Sequence, residues 1–268
     1  MSAVQETLSW QHQLLVIGLL MARMLVALSF IPLFVGSSVP TTVRLVFVAG
    51  LTLAVLPLAL ADPALRQAVP SAGVLGLVLK EGALGLVLGL MCGIAFWGVH
   101  AAGSIVEYQA GLTVATAIDP LTGQEDSIVG GLFMNLFTLL FLATGGLLAL
   151  IGMLLESYTV WPLSSMTPVV GNLKLVAVVI GGLGELLLIA LKVAVPFVIL
   201  MLVVEIALGL LSRFAPQLNV FFLSLPLKMI VLTGLILLYA TVMTDGLRGL
   251  PVTDFGALLL LLRKATDG

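Results

Sequence analysis

Residues 128–155 read IVGGLFMNLFTLLFLATGGLLALIGMLL, 28 positions without an Asp, Glu, Lys or Arg. About 20 apolar residues cross a bilayer core as a helix, so this run alone ties the chain to a membrane. Five further apolar blocks surround it. Leu14–Val35 is interrupted by Arg23, Leu45–Ala61 is bounded by Arg44 and Asp62, and Gly73–Val106 contains Lys80 and Glu81. Leu173–Leu211 is long enough for a broken helix or a hairpin, and Leu218–Met243 contains Pro226 and Lys228. Hydropathy therefore predicts about six spans.

Composition agrees with this class. The 268 residues are 61% hydrophobic and 9% charged, with a mean hydropathy of +1.27. A soluble domain carries about 25% charged residues, and a soluble globule of this size could not cover itself with so few polar groups. Backbone in lipid must satisfy its own hydrogen bonds, which favours helices. A barrel would need alternating segments of about ten residues, and none is visible. The chain is expected to be an all-α membrane protein with kinked helices and helical hairpins.

Several functions are excluded or unsupported. A net charge of −2 supplies no basic field for nucleic acid. Cys92 is the single cysteine and His12 and His100 lie far apart, so neither a disulfide nor a metal site is supported. No GxSxG, HExxH, P-loop or dinucleotide-binding motif occurs; no cofactor and no catalytic residue is expected. The first 13 residues contain Glu6 and no base, so they lack a signal peptide's basic region, and the first apolar block is expected to be retained. The connection 107–126 holds four acids and no base, which leans only weakly to the outside because orientation follows bases.

Three features carry chemistry or packing. Gly85, Gly89 and Gly93 form a strip at spacing four, suited to close helix contact. Lys80, Glu81, Glu185, Lys192, Glu205, Arg213 and Lys228 lie in apolar blocks, where ionisable groups face protein or water. Bases pair more readily than they relay protons, so pairing is the preferred reading. Lys80 and Glu81, about 100° apart on a helix, are expected to meet two different neighbours rather than each other. Glu185 and Lys192, seven apart, share a face. The stretch 108–127, YQAGLTVATAIDPLTGQEDS, is too polar to span and too small in its side chains to build a core. Loops of that length in compact proteins tend to be functional, and a lining, plug or gating role is expected.

More specific strings then accumulate. Arg213-Phe-Ala-Pro-Gln-Leu-Asn-Val-Phe221, followed by Leu225-Pro-Leu-Lys228, resembles the signature of the SctT/FliR family of type III secretion export-gate membrane proteins. Arg23 ahead of Phe30-Ile-Pro32, Val39-Pro40 with Arg44, the Lys80-Glu81 pair and Gly103…Glu107…Gln109-Ala-Gly111 agree with it, as do Asp119-Pro120 and Ser157-Tyr158. Phe214, the LPLK ending and the DPLTG stretch look more like the injectisome SctT branch than the flagellar FliR branch.

The resemblance implies a non-enzymatic structural subunit of the bacterial inner-membrane export gate, part of it raised toward the periplasm. An SctR-like part, 1–165, would precede an SctS-like helical hairpin, 166–268, with the division near Trp161–Gly171. Partners would be SctR-type and SctS-type subunits, SctU-type and SctV-type proteins, the needle or rod base, lipid and unfolded protein substrates in transit. Gly103, Glu107, Gln109, Ala110, Gly111, Leu112, Thr113, Val114, Ala115, Thr116, Ala117 and Asp119 would serve the channel plug and its gating. Lys80, Glu81, Gly85, Gly89, Gly93, Glu185, Lys192, Glu205, Arg213, Pro216, Gln217, Asn219 and Lys228 would serve assembly. The alternative from another class is a polytopic secondary transporter of a small molecule, which kinked helices and buried charges would also suit.

Overall fold

A computed structural model describes residues 2–35, 39–61, 71–112, 127–164, 173–215, 217, 219–248 and 260. Seven α-helices run through the described residues: α1 Ser2–Ser29, α2 Thr41–Ala61, α3 Ser71–Ala110, α4 Ile128–Ala143, α5 Gly146–Val160, α6 Leu173–Phe214 and α7 Val220–Arg248. A short 3-10 turn, Pro32–Phe34, follows α1, and there is no strand among the described residues. The all-α expectation is met.

The span count differs from the hydropathy reading. Among the described residues, three helical stretches are long and apolar enough to cross a membrane: Thr41–Leu60, Gly73–Ala110 and Val176–Phe214. A fourth crossing results if α4 and α5 count as one broken span. The charge-free run 128–155 is interrupted at Gly145, whose φ of +82° ends one helix and opens the next, a conformation favoured by glycine. Apolar stretches in α1 and α7 are shorter, Gln13–Ser29 and Phe222–Leu238. The block Leu173–Leu211, expected as a broken helix or a hairpin, is instead continuous within α6, with Pro196 inside it.

Two compact units make up the chain. The first comprises Met1–Ile94, Gly145–Gly182 and Asp254–Gly268. Its core gathers on α1, where Val16, Leu19, Leu20, Met24, Ala27 and Leu28 are buried, a helical three-and-four spacing. Arg23 falls on the same stripe and is fully buried. The glycine strip of α3 lies against this helix. A Cβ added at Gly85 would sit 2.4 Å from the Arg23 carbonyl oxygen, and one at Gly89 2.4 Å from that of Ala27. Gly93 is buried further along α3. Small residues thus bring two backbones together.

The second unit comprises Ala95–Thr144 and Leu183–Thr253. Aromatic rings fill it: Phe96 stands edge-on to Phe137 and Phe141 at 4.8 and 5.2 Å, and Phe133 lies 5.2 Å from Phe197. Glycine again sets the closest approach, since a Cβ at Gly103 would lie 2.6 Å from the Gly130 Cα on α4. Glu205 of α6 pairs with Lys228 of α7. These residues stand at similar distances from the intervening turn, as an antiparallel hairpin requires. The expected division near 161–171 falls mostly on residues outside those described.

Gly89→Ala is expected to cost about 1–3 kcal/mol, because the intruding methyl meets backbone that cannot rotate away. Gly82→Ala, in the same helix with nothing within 4 Å of its added Cβ, is expected to be neutral or to gain up to ~1 kcal/mol. Thermal unfolding of the full chain in detergent, followed by circular dichroism, measures both. Equal destabilisation by the two would contradict close packing at Gly89.

Candidate functional site

The buried charges of both units are engaged with helix ends. In the first unit Arg23 donates from Nε to Glu81 Oε2 at 2.6 Å, from Nη1 to the Ser157 carbonyl and hydroxyl oxygens at 3.0 and 3.2 Å, and from Nη2 to the Trp161 carbonyl at 2.9 Å. Its guanidinium lies 4.1 Å from the Tyr158 ring centroid. The Tyr158 hydroxyl donates to the Leu20 carbonyl at 2.9 Å. Lys80 donates to the carbonyls of Pro162 and Leu163 at 2.9 and 3.2 Å. The last carbonyls of a helix have no partner within it. Here two cations from α1 and α3 receive the carbonyls of Trp161 and the two residues after it, and Arg23 is a second donor to the Ser157 carbonyl, which also accepts from the Trp161 N–H at 3.0 Å at the end of α5.

Charge balance explains the composition of this cluster. Arg23, Lys80 and Glu81 together carry one net positive charge, and the C-terminal end of a helix carries roughly half a negative charge. Glu81 therefore neutralises one cation, and the end of α5 attracts the remainder. Lys80 and Glu81 meet different neighbours, as expected, but they also meet each other: Lys80 Nζ is 2.9 Å from Glu81 Oε1. Adjacent side chains can converge here because both reach inward from α3 toward one site.

The second unit fastens two helix ends on either side of residues 113–126. Helix α3 stops at Gly111, whose φ is +79°. The Gly111 N–H donates to the Tyr108 carbonyl at 3.1 Å and the Leu112 N–H to the Glu107 carbonyl at 3.3 Å, the paired bonds of a Schellman cap. Lys228, buried on α7, donates to the Gln109 carbonyl at 2.8 Å and pairs with Glu205 Oε1. The Gln109 side chain donates to Glu205 Oε2 at 3.3 Å. Across the gap in sequence, Glu107 accepts from the Ser127 hydroxyl and from the Val129 N–H at 2.9 Å. Ser127 is the N-cap of α4, accepting from the Gly130 N–H at 2.8 Å. A buried carboxylate and a hydroxyl thus satisfy the start of α4, where the helix dipole favours negative charge.

The plug candidates therefore divide. Gly103 lies at the α3–α4 crossing, while Glu107, Gln109, Ala110, Gly111 and Leu112 build the end of α3. Thr113, Val114, Ala115, Thr116, Ala117 and Asp119 lie outside the described residues. Among the assembly candidates, Lys80, Glu81, Glu205 and Lys228 find partners inside this chain. Gly85 and Gly89 pack on α1. Glu185, Lys192 and Arg213 make no ion pair among the described residues, and Arg213, Gln217 and Asn219 are exposed. Pro216 lies outside the described residues. Residue spacing did not reveal Arg23 as the partner of Glu81 or Ser127 as a cap; a serine directly before an apolar helical run was the available signal for the cap.

Two measurements check these contacts. Arg23→Met removes the donor that Glu81 Oε2, the Ser157 hydroxyl and the Trp161 carbonyl share and is expected to cost about 3–5 kcal/mol. Arg23→Lys is expected to recover little, because an ammonium cannot reach Glu81, Ser157 and Trp161 together. Full recovery by Arg23→Lys in detergent unfolding experiments would contradict the forked geometry. For the second cluster, Lys228→Met is expected to raise amide hydrogen exchange at Gly111 and Leu112 about tenfold, while the Phe133–Phe137 turn keeps its protection. Unchanged exchange at 111 and 112 would show that Lys228 does not hold the end of α3.

With this geometry in place, the relatives become informative. Yop proteins translocation protein T of Yersinia pestis is 36% identical over 163 residues, 61% of this chain and 62% of that protein. Surface presentation of antigens protein SpaR of Salmonella typhimurium is 37% identical over 180 residues, 66% of each chain. Flagellar biosynthetic protein FliR of Escherichia coli is 34% identical over 209 residues, 78% of each. The chain thus spans about three-fifths of the Yersinia protein's length in that match. The match to the bacterial export proteins, family 1, is wider and covers residues 14–250. Spanning the charge clusters of both units, and including the Arg213–Phe221 run, it identifies this chain as a membrane protein of that bacterial export family.

Proposed function

We propose that the chain is a non-enzymatic structural subunit of the inner-membrane export gate of a bacterial type III secretion system, and that it forms part of the protein-conducting channel and its plug. Membership of the export family over most of the chain supports a secretion role. The observation that carries the channel reading is the fastening of residues 107–112 and 127–130 by Lys228 and Glu107. Two anchored helix ends bracket a stretch rich in small side chains, from Thr113 to Asp126. Small side chains suit a plug that packs without bulky anchors and is displaced at modest energetic cost.

Assembly would involve SctR-type and SctS-type subunits, with SctU-type and SctV-type proteins and the needle or rod base alongside. Unfolded proteins would pass through in transit. The turn between α6 and α7 supports this reading, because Arg213, Phe214, Gln217 and Asn219 are all exposed there. An injectisome role is preferred to a flagellar one. Export relatives over most of the chain leave the small-molecule transporter reading without support.

Co-expression with the neighbouring membrane genes, purification in mild detergent and native mass spectrometry test the proposal. A discrete hetero-oligomer with one copy of this chain is expected. In a secreting strain, Ala115→Trp is expected to obstruct secretion while the same hetero-oligomer still forms. A stable monomer or homodimer from that co-expression, or normal secretion by Ala115→Trp, would overturn the gate or the plug reading respectively.

A further inference from the structure

Helix α6 is longer than a bilayer core requires. Its 42 residues extend about 63 Å, against a hydrocarbon thickness of about 30 Å. The apolar stretch Val176–Phe214 therefore offers more than one register in a membrane. Hydropathy does not choose between them, but charge does. Residues 173–192 carry Lys174, Glu185 and Lys192, and neither Glu185 nor Lys192 has an ion-pair partner among the described residues. A register that places Leu183, Leu187 and Leu188 in hydrocarbon takes both of those charges with them. Residues 193–212 carry Glu205 alone, and Lys228 neutralises it. In that half Val195, Ile199, Val203, Ile206 and Leu210 are each about half exposed, an apolar surface that lipid accepts.

Bases mark both ends of the second register. Lys192 and Arg213 are exposed, and the 21-residue step between them rises about 32 Å. Helix α7 obeys the same limits. Between positions 220 and 244 its one charge is Lys228, so the opposing arm also crosses without an unpaired ion. Gln217 and Asn219, exposed in the turn between the arms, lie beyond the hydrocarbon with Arg213.

We propose that the α6–α7 hairpin crosses the bilayer with residues 193–212 in its hydrocarbon, and that Lys192 and Arg213 each hold a phospholipid phosphate, one in each leaflet. The stems of Lys and Arg lie along apolar surface while their heads reach a polar level. Phosphate is the acceptor that a phospholipid supplies there, and a guanidinium binds it through paired N–H groups. Glu205, eight residues before Arg213, then stands about 12 Å inside that boundary. Because Lys228 ties the Gln109 carbonyl to Glu205, α3 ends within the thickness of the membrane. This register goes beyond the export-gate reading and does not depend on it.

Nitroxide labels on the full chain, in vesicles of phosphatidylethanolamine and phosphatidylglycerol, test the register, with Cys92→Ala removing the native thiol. Labels replace Leu187, Leu191, Ile199, Val203, Ile206 and Leu210 one at a time, and relaxation by oxygen is compared with relaxation by a water-soluble nickel chelate. The oxygen-to-nickel ratio is expected to peak at Val203, midway between the two bases, and to fall on both sides. Lys192→Leu is expected to move the peak about one helical turn, to Ile199, and Arg213→Leu to move it toward Ile206, whereas Lys192→Arg leaves it in place. A peak at Leu187 or Leu191, or a profile without a peak, would overturn the register. So would labels reached by neither relaxant, the result that a covering protein surface produces. A peak that stays at Val203 in both leucine variants would overturn the phosphate contacts. None of these results bears on whether the chain joins a hetero-oligomer, which the native mass spectra decide.

Discussion

A helix that ends inside an apolar protein leaves carbonyl or N–H groups that no water reaches, and this chain meets that constraint with buried charge. Arg23 and Lys80 receive the carbonyls at the end of α5. Lys228 receives one at the end of α3, and Glu107 with Ser127 satisfies the start of α4. The sign is right in each case: cations stand at C-terminal ends and the carboxylate at an N-terminal end. Burial of an isolated ion would be prohibitive. Each of these ions has hydrogen bonds, and among the described residues Arg23, Lys80 and Lys228 also have an opposite charge.

This arrangement separates two kinds of charge in one hydrophobic sequence. Some hold the chain's own helix ends and are spent within it. Glu185 and Lys192 stand on the exposed side of α6 without a partner among the described residues. In the proposed plug reading, the hydrogen bonds that hold Gln109 and Ser127–Val129 give the segment between them fixed flanks.

Much of this was legible in the sequence. Charge-free blocks and sparse polar residues decided the helical membrane class, and the spacing of Gly85 and Gly89 predicted the close approach that α1 makes. The Arg213–Phe221 run pointed to the family that residues 14–250 match. The span count was not legible, because hydropathy averages do not register a break made by one left-handed glycine at 145. Nor do they register that α1 uses its charged position for packing. Pairing was hidden for a different reason: Arg23 meets Glu81 across 58 residues and Ser157 across 134. Local periodicity carries no information at such separations. Glu205 could have served Arg213 or Lys228 on sequence grounds, and only the α6–α7 hairpin brings Lys228 to it.

A cryo-EM reconstruction of the assembled complex, at a resolution that shows side chains, tests the central claim most directly. Arg23 and Lys80 should remain on the carbonyls that end α5, Lys228 on the Gln109 carbonyl and Glu107 on the start of α4, all within one chain. Density showing any of these side chains turned to a neighbouring subunit, with its helix end satisfied by another group, would contradict the account.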